Sequence, residues 1–320
     1  MRYDSPIPAL DRLRIAPEFR AGIPAMEDYR RKPPAADRIA GGSRPRQYVP
    51  GLPVFTILMP VMNRADLLPR ALDSIIAQTY PNIEVLIADG NSRDGTVDVL
   101  RRYDSSITYW LSEKDRDSID AINKLSAIAT GTYTTMFLSD DWLPPDYFEI
   151  AARAFERTGA DILYGDLSLY DEKGVLLTHV RGKADYRKSI RYEFSVTSPG
   201  WIFRQAMSQE IGLLNSRLDI APDYEWVLRA HMAGYSGAHE PALLYNFLVS
   251  GRSTVQAVRG YRELRQTAIA YGGNPVVAWR RFIFATLRNR SRKLLQALLP
   301  EAAVMRIQKM VWARRNRRAQ

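Results

Sequence analysis

The chain has 320 residues, 46% of them hydrophobic and 25% charged, the balance of a folded globular protein rather than a disordered or fibrous one. It contains no cysteine, which excludes disulfides, thiolate metal sites and a cysteine nucleophile; His179, His231 and His239 are its three histidines, too few for an imidazole-rich zinc centre, so any metal must be held by oxygen. The net charge of +10 is uneven: twelve Lys or Arg face one acid, Glu301, between Trp279 and Gln320, leaving 33 basic and 34 acidic residues before them.

Residues 1–50 carry prolines and arginines with little periodicity, as in Arg31-Lys32-Pro33-Pro34, and read as an extended arm or loosely packed lead-in. The N-terminus has no apolar signal-peptide core, and no run approaches the roughly 18 apolar residues that span a bilayer; the expectation is a cytoplasmic protein. Order begins at the apolar run Val54 to Met59, a strand buried on both faces that ends at Pro60. A helix with Leu68, Leu72 and Ile75 on one face follows, then a strand Ile83 to Ala88 stopping at Asp89-Gly90 and a short helix Thr96 to Arg102. Ile107 to Leu111 reads as a third strand, Ser118 to Ala129 as a helix and Tyr133 to Leu138 as a fourth strand. This alternation predicts an α/β fold: a doubly wound, mainly parallel sheet with helices on both faces. Beyond Pro144-Pro145 a helix runs to about Arg157, strands Asp161 to Tyr170 and Val175 to Val180 form a hairpin, and Asp223 to Met232 is helical. From Tyr261 the pattern is helical and basic, broken at Gly272-Gly273-Asn274-Pro275. The domain reading is 1–50 arm, 51–250 catalytic domain, divided into a nucleotide-binding half (51–142) and an acceptor half (143–250), and 251–320 basic helical extension.

Ligands of such sheets bind beyond the carboxyl ends of the strands, and Asn63, Asp89 and the pair Asp140-Asp141 all follow a predicted strand end. Asp89 is placed to accept a hydrogen bond from a base or ribose, with Asn91 and Ser92 shaping the turn; an ordinary strand-to-helix turn with Asp94 as cap explains the same residues. Two adjacent carboxylates at the end of an apolar strand repel each other unless a cation or helix terminus offsets them, so Asp140-Asp141 fits a Mg2+ or Mn2+ shared with a diphosphate; capping of the next helix is the alternative. Asp120 and Lys124 share a helical face, with Asn123 beside them, either as a surface ion pair or as ligand contacts. Trp201 suits stacking on a sugar, as does a place in the core.

Pro60-Val61-Met62-Asn63-Arg64, Asp89 to Thr96, Ser112-Glu113-Lys114-Asp115, Asp120 to Lys124, Gly131 and Ser139-Asp140-Asp141 occur in the order and spacing of family two inverting glycosyltransferases. The resemblance covers about residues 54 to 250 and is nearest the branch that builds bacterial surface polysaccharides. It implies a GT-A fold and transfer from a nucleotide-sugar, a UDP-sugar by analogy with relatives, to a saccharide or lipid-linked acceptor. By the same resemblance Pro60, Asn63 and Asp89 line the nucleotide pocket with Asn91 and Ser92; Ser139 and Asp140 lie near ribose, and Asp141, with Asp140, holds the metal. Asp120, Asn123 and Lys124 are implied to touch the donor sugar or diphosphate. Ile220 to Arg229 resembles the family's acidic segment at a helix start, which makes Asp223 the general base, with Trp201 and Tyr224 on the acceptor side. Ser139 stands where many members have an acid, and Met62 replaces a common Tyr; the first raises the prospect of an inactive scaffold.

The basic tail interleaves aromatic residues with arginines, as in Trp279-Arg280-Arg281-Phe282, and reads as an interfacial helix on anionic membrane, peripheral on the inner face, or as helices packed on the core. A sugar-phosphate nucleotidyltransferase is disfavoured because Pro60 to Leu68 contains no glycine. Nucleic-acid binding explains the tail, yet acids gathered at the strand ends repel phosphate, so no nucleic acid is expected.

Overall fold

The computed structural model describes residues 7, 9–194, 196–249 and 256–298. Among them are strands β1 (Ile39–Gly41), β2 (Phe55–Val61), β3 (Ile83–Asp89), β4 (Tyr109–Ser112), β5 (Tyr133–Met136), β6 (Ile162–Tyr170), β7 (Leu176–Val180), β8 (Ile202–Arg204) and β9 (Gly237–Leu248). The α-helices are α1 (Pro17–Arg20), α2 (Met26–Arg30), α3 (Leu68–Ile76), α4 (Thr96–Arg102), α5 (Ser118–Ile128), α6 (Tyr147–Thr158), α7 (Met207–Ile211), α8 (Pro222–Met232), α9 (Ala257–Ala270) and α10 (Pro275–Leu298).

The strands form one sheet in the order β1-β4-β3-β2-β5-β8-β6-β7, with β9 joined to β6. The pairs β2–β3, β3–β4, β2–β5 and β6–β9 are parallel, while β1, β7 and β8 run antiparallel to their neighbours. Successive side chains of a strand point to opposite faces, and this period divides the core. Phe55, Ile57 and Met59 of β2 pack with α3, α4 and α6, whereas Leu58 faces α5, α7 and α8. Helices on both faces therefore bury the central strands completely, which is why they read as continuous apolar runs. Gly131, before β5, is required by close approach: a Cβ there would lie 2.5 Å from Thr56 Oγ1 and 2.8 Å from the Val54 carbonyl oxygen.

The extended arm expected over residues 1–50 is, over the described residues, a packed segment. Ile7, Leu10, Ile23, Met26 and Tyr29 are buried, and β1 adds an antiparallel edge to β4. Short helices with at most two buried apolar anchors each carry too few residues to show a period, so their burial was invisible in sequence.

Candidate active site

Strands β2, β3, β4 and β5 run parallel, and their carboxyl ends deliver four loops to one edge. After β2, Asn63 takes a left-handed conformation (φ 51°), which Asn tolerates better than most residues. Its backbone N–H donates to Ser92 Oγ at 2.7 Å and its side-chain oxygen accepts from the Arg93 N–H at 3.0 Å, locking the β2 and β3 loops together. Asn91, also left-handed at φ 64°, is exposed. Asp89 is fully buried: it accepts from the Ser92 N–H at 3.0 Å, from the Ser92 hydroxyl, and from Ser112 Oγ at 2.6 Å. Its carboxylate holds the loop from within, and the edge facing solvent is formed by Asn63 and Asn91 with Pro60 and Ser92 half-buried behind them. Asp94 accepts from the Thr96 N–H and the Ala65 N–H, both at 3.0 Å, and so ties the β2 loop to the start of α4, whose N-cap position is Gly95.

The loop after β4 carries a charged network. Glu113 accepts from Arg38 Nε at 2.6 Å and Nη2 at 3.1 Å, a two-point clamp, and from Lys124 Nζ. Lys124 also bonds Asp115 and lies 3.6 Å from Asp120, which accepts from Tyr29 Oη at 2.9 Å. Burial alone would raise the Glu113 carboxyl, but Arg38 and Lys124 overcome it and hold it at about 2; burial drives Asp115 up to about 6 despite Lys124. Asp120 and Lys124 thus share a face as expected, but as members of a buried network with the N-terminal segment rather than a surface ion pair. Asn123 corrects the donor-contact expectation: fully buried, its amide spans the Leu214 carbonyl (2.9 Å) and the Leu214 N–H (3.0 Å), so both ends serve the backbone before α8.

Beyond β5 the two aspartates part company. Asp141 is fully buried and accepts from Tyr245 Oη at 2.9 Å and from the Leu248 N–H at 2.8 Å. Burial, and then the charge of Asp140, raise its carboxyl well above the usual range. With both oxygens committed to β9, Asp141 does not fit the metal-ligand role. Ser139 is buried as well. Asp140 is half-buried, and no donor among the described residues reaches its carboxylate. Arg70, absent from the sequence reading, lies beside it. Arg70 donates to the Asp140 carbonyl at 2.7 Å, stacks 4.1 Å from the Trp142 ring centroid, and keeps a buried Nε without a partner in the structure. Among the described residues no group of three or more His, Cys, Asp or Glu could enclose a metal ion. A cation here would have Asp140 as its protein carboxylate and take further oxygens from a diphosphate and water, an arrangement Mg2+ and Mn2+ accept.

Residues 143–250 reach the same edge through β8. Ile202 pairs with Thr135 near the end of β5, and Arg204 pairs with Tyr133 at its start, so the segment entering β8 comes from the carboxyl edge. Ser198 in that segment donates to Asp223 Oδ2 at 2.5 Å, and the Tyr224 N–H donates to Oδ1 at 2.8 Å. Asp223 sits in the first turn of α8 behind Pro222, where the positive end of the helix favours a carboxylate. Burial nonetheless raises its carboxyl, against the Ser198 and Tyr224 hydrogen bonds. Trp201 and Tyr224 correct the acceptor expectation. Trp201 packs against Phe203 and Trp226 with tilted rings, and Tyr224, fully buried, donates to the Arg191 carbonyl at 2.7 Å; both belong to the core between the sheet and α8.

The loop before α8 is held by a residue far along the chain: Glu263 of α9 accepts from the N–H groups of Ile220 and Ala221, both at 2.9 Å. A cavity of about 630 Å³ lies at the opposite edge, among Leu52, Pro53, Tyr80, Tyr133 and Arg153, and none of the expected site residues lines it.

The family model for glycosyl transferase family 2 matches residues 56–212, the span that builds this edge. Residues 56–212 are a glycosyl transferase family 2 domain. It is 28% identical over 183 residues to a PGL/p-HBAD biosynthesis glycosyltransferase of Mycobacterium tuberculosis, covering 55% of this chain and 69% of that one. It is also 31% identical over 137 residues to glycosyltransferase GlyA of Streptococcus pneumoniae, covering 42% of this chain and 20% of that relative; the chain thus spans only a fifth of GlyA's length. The mannosyltransferase PcManGT of Pyrobaculum calidifontis, in complex with GDP-Man and Mn2+, superposes with a TM-score of 0.55 at 19% identity over 89% of this chain and 85% of that one. S. aureus TarS 1-349 in complex with UDP gives 0.55 at 17% identity over 78% and 76%. These neighbours share the GT-A fold. No helix among the described residues is long and apolar enough to cross a membrane.

Proposed function

We infer that this family 2 glycosyltransferase moves a sugar from a nucleotide-sugar to a hydroxyl of a saccharide or lipid-linked acceptor, with inversion at the anomeric carbon. The observation that carries the reading is the gathering of the Asn63, Asp89, Glu113–Lys124 and Asp140 loops at one sheet edge, with Asp223 brought to that edge through Ser198. The nucleoside lies along Pro60, Asn63 and Asn91, and Asp89 keeps that loop shaped. The Arg70 guanidinium, held against the Asp140 carbonyl, offers a positive group beside Asp140 for the diphosphate. The chemistry supplied by a bound Mg2+ or Mn2+ at Asp140 is neutralisation of charge on the leaving diphosphate.

Asp223 accepts the acceptor proton as that oxygen attacks the anomeric carbon; the bond to the diphosphate breaks and its electrons leave with the diphosphate. The raised carboxyl suits this role, because a base nearer the operating pH shares a proton more effectively in the transition state. The relatives in complex with UDP and GDP-Man support the donor class without choosing the base.

The test is a thermal-shift panel of nucleoside diphosphates and nucleotide-sugars with and without manganese. A ligand at 100 times its dissociation constant stabilises the native state by about 2.7 kcal/mol, which is readily seen as a rise in melting temperature. The reading is lost if none of them shifts the melting temperature at saturating manganese.

A further inference from the structure

Helix α10 lies outside the family match and has an unusual surface. Asn274 Oδ1 caps it by accepting the Val276 N–H at 2.9 Å. Arg265 of α9 holds it in place, its guanidinium 3.9 Å from the Trp279 ring centroid and 5.0 Å from that of Phe282. Its other side carries Val276, Ile283, Phe284, Leu287, Leu294 and Leu298, each between 49% and 71% exposed. At about 100° per residue these six fall within an arc of roughly 100°, one continuous stripe along the helix. Among the described residues nothing covers it. Residues 275–298 include six Lys or Arg and no acid; on the same helical projection Arg280 falls inside the stripe and Arg288 and Arg290 flank it.

We propose that this face of α10 docks on the surface of an anionic bilayer. The apolar stripe enters the acyl boundary, Trp279 sits at headgroup depth and the arginines bind lipid phosphates. Charge chooses this occupant over others. A second copy of the chain would oppose the same arginines to one another. A nucleic acid would take the cations and leave the apolar residues in water. The helix that docks also bears on the site: α10 packs on α9, whose Glu263 holds the loop leading to Asp223. The lipid readout is independent of the sugar-transfer reading.

The experiment is flotation of the full chain with phosphatidylcholine vesicles, with and without phosphatidylglycerol, while tryptophan emission is followed. The expected result is binding to the anionic vesicles with a blue shift, and weak binding to the neutral ones. Phe284→Glu with Leu287→Glu should lower the bound fraction more than tenfold while the melting temperature stays that of the wild type. Arg280→Gln and Arg290→Gln should each lower affinity for anionic vesicles roughly fivefold. The proposal is overturned by equal binding to both vesicle types, by no binding, or by wild-type binding of the double variant. It is overturned equally by a dimer that dissociates in the double variant without any vesicle binding, or by a duplex-DNA complex formed where vesicles are not bound.

Discussion

Asp140 and Asp141 are chemically identical neighbours with opposite environments, and substitution should separate them. Asp141→Ala strands the buried Leu248 N–H and takes the acceptor from the Tyr245 hydroxyl proton, leaving that oxygen its one bond from the Leu138 N–H, and is expected to cost about 1–3 kcal/mol in urea unfolding. Asp140→Ala should leave the unfolding midpoint within about 0.5 kcal/mol, as surface substitutions do, and abolish the manganese-dependent part of the donor-induced thermal shift. The reverse pattern would return the ligand role to Asp141. Asp223→Asn keeps the size of the side chain and removes the proposed base, so kcat should fall about 10²–10⁴-fold with little change in donor KM. Burial raises the Asp223 carboxyl, so the acid limb of the wild-type kcat profile should lie above the ordinary aspartate value of about 3.9 and vanish in the variant. The sign for stability follows. A carboxyl raised in the fold favours the native state below its unfolded pKa, and that contribution is lost as pH rises through the folded value. At neutral pH Asp223→Asn should therefore melt no lower than the wild type; a marked drop would mean the side chain is structural.

The N-terminal segment and the loop after β4 form a unit at the next scale. Arg38 reaches Glu113 from outside the family-matched span, and Tyr29 and Lys32 reach Asp120. Arg38→Ala leaves Glu113, only 4% exposed, with Lys124 as its remaining cation. A loss of about 1–3 kcal/mol is expected, together with a raised donor KM as the loop relaxes; an unchanged KM would confine Arg38 to stability. Because the Glu113 carboxyl is held at about 2 in the fold, its contribution is present above the unfolded glutamate value of about 4.3 and disappears as pH falls towards 2. Hydrogen exchange in residues 26–41 should accelerate selectively on acidification through that window, before the sheet itself opens. Asp115, raised to about 6, acts in the other direction, so the segment is expected to be held most firmly in mild acid.

Across the whole molecule, the C-terminal helices are tied to α8 by a buried charge. Arg229 and Glu225 of α8 are fully buried and paired at 2.9 Å, and Tyr271, just after α9, donates to the same glutamate. Arg229 also donates to the carbonyls of Ile211 and Leu213, so one guanidinium joins α7, α8 and the loop between them. Arg229→Met leaves Glu225 buried without its cation and is expected to cost about 3–5 kcal/mol. The loss should appear as one cooperative transition rather than as a separately melting C-terminal region. Two transitions in calorimetry would show that α9 and α10 fold apart from the sheet.

Local pattern alone determined the alternation of strands and helices from Phe55 to Thr158, because continuous apolar runs and a 3.6-residue period depend on neighbours in the chain. It also determined which loops meet: parallel strands must deliver Asn63, Asp89 and Asp140 to a common edge. The tertiary structure decided which way each side chain turns. Adjacency cannot say that Asp141 bonds Tyr245, 104 residues away, while no donor among the described residues reaches the half-buried Asp140 carboxylate. A period cannot say that Trp201 packs against Trp226, that Asn123 clasps Leu214, or that the N-terminal segment closes over Glu113. Those outcomes rest on partners distant in sequence, and burial with satisfied hydrogen bonds is a property of the packed whole.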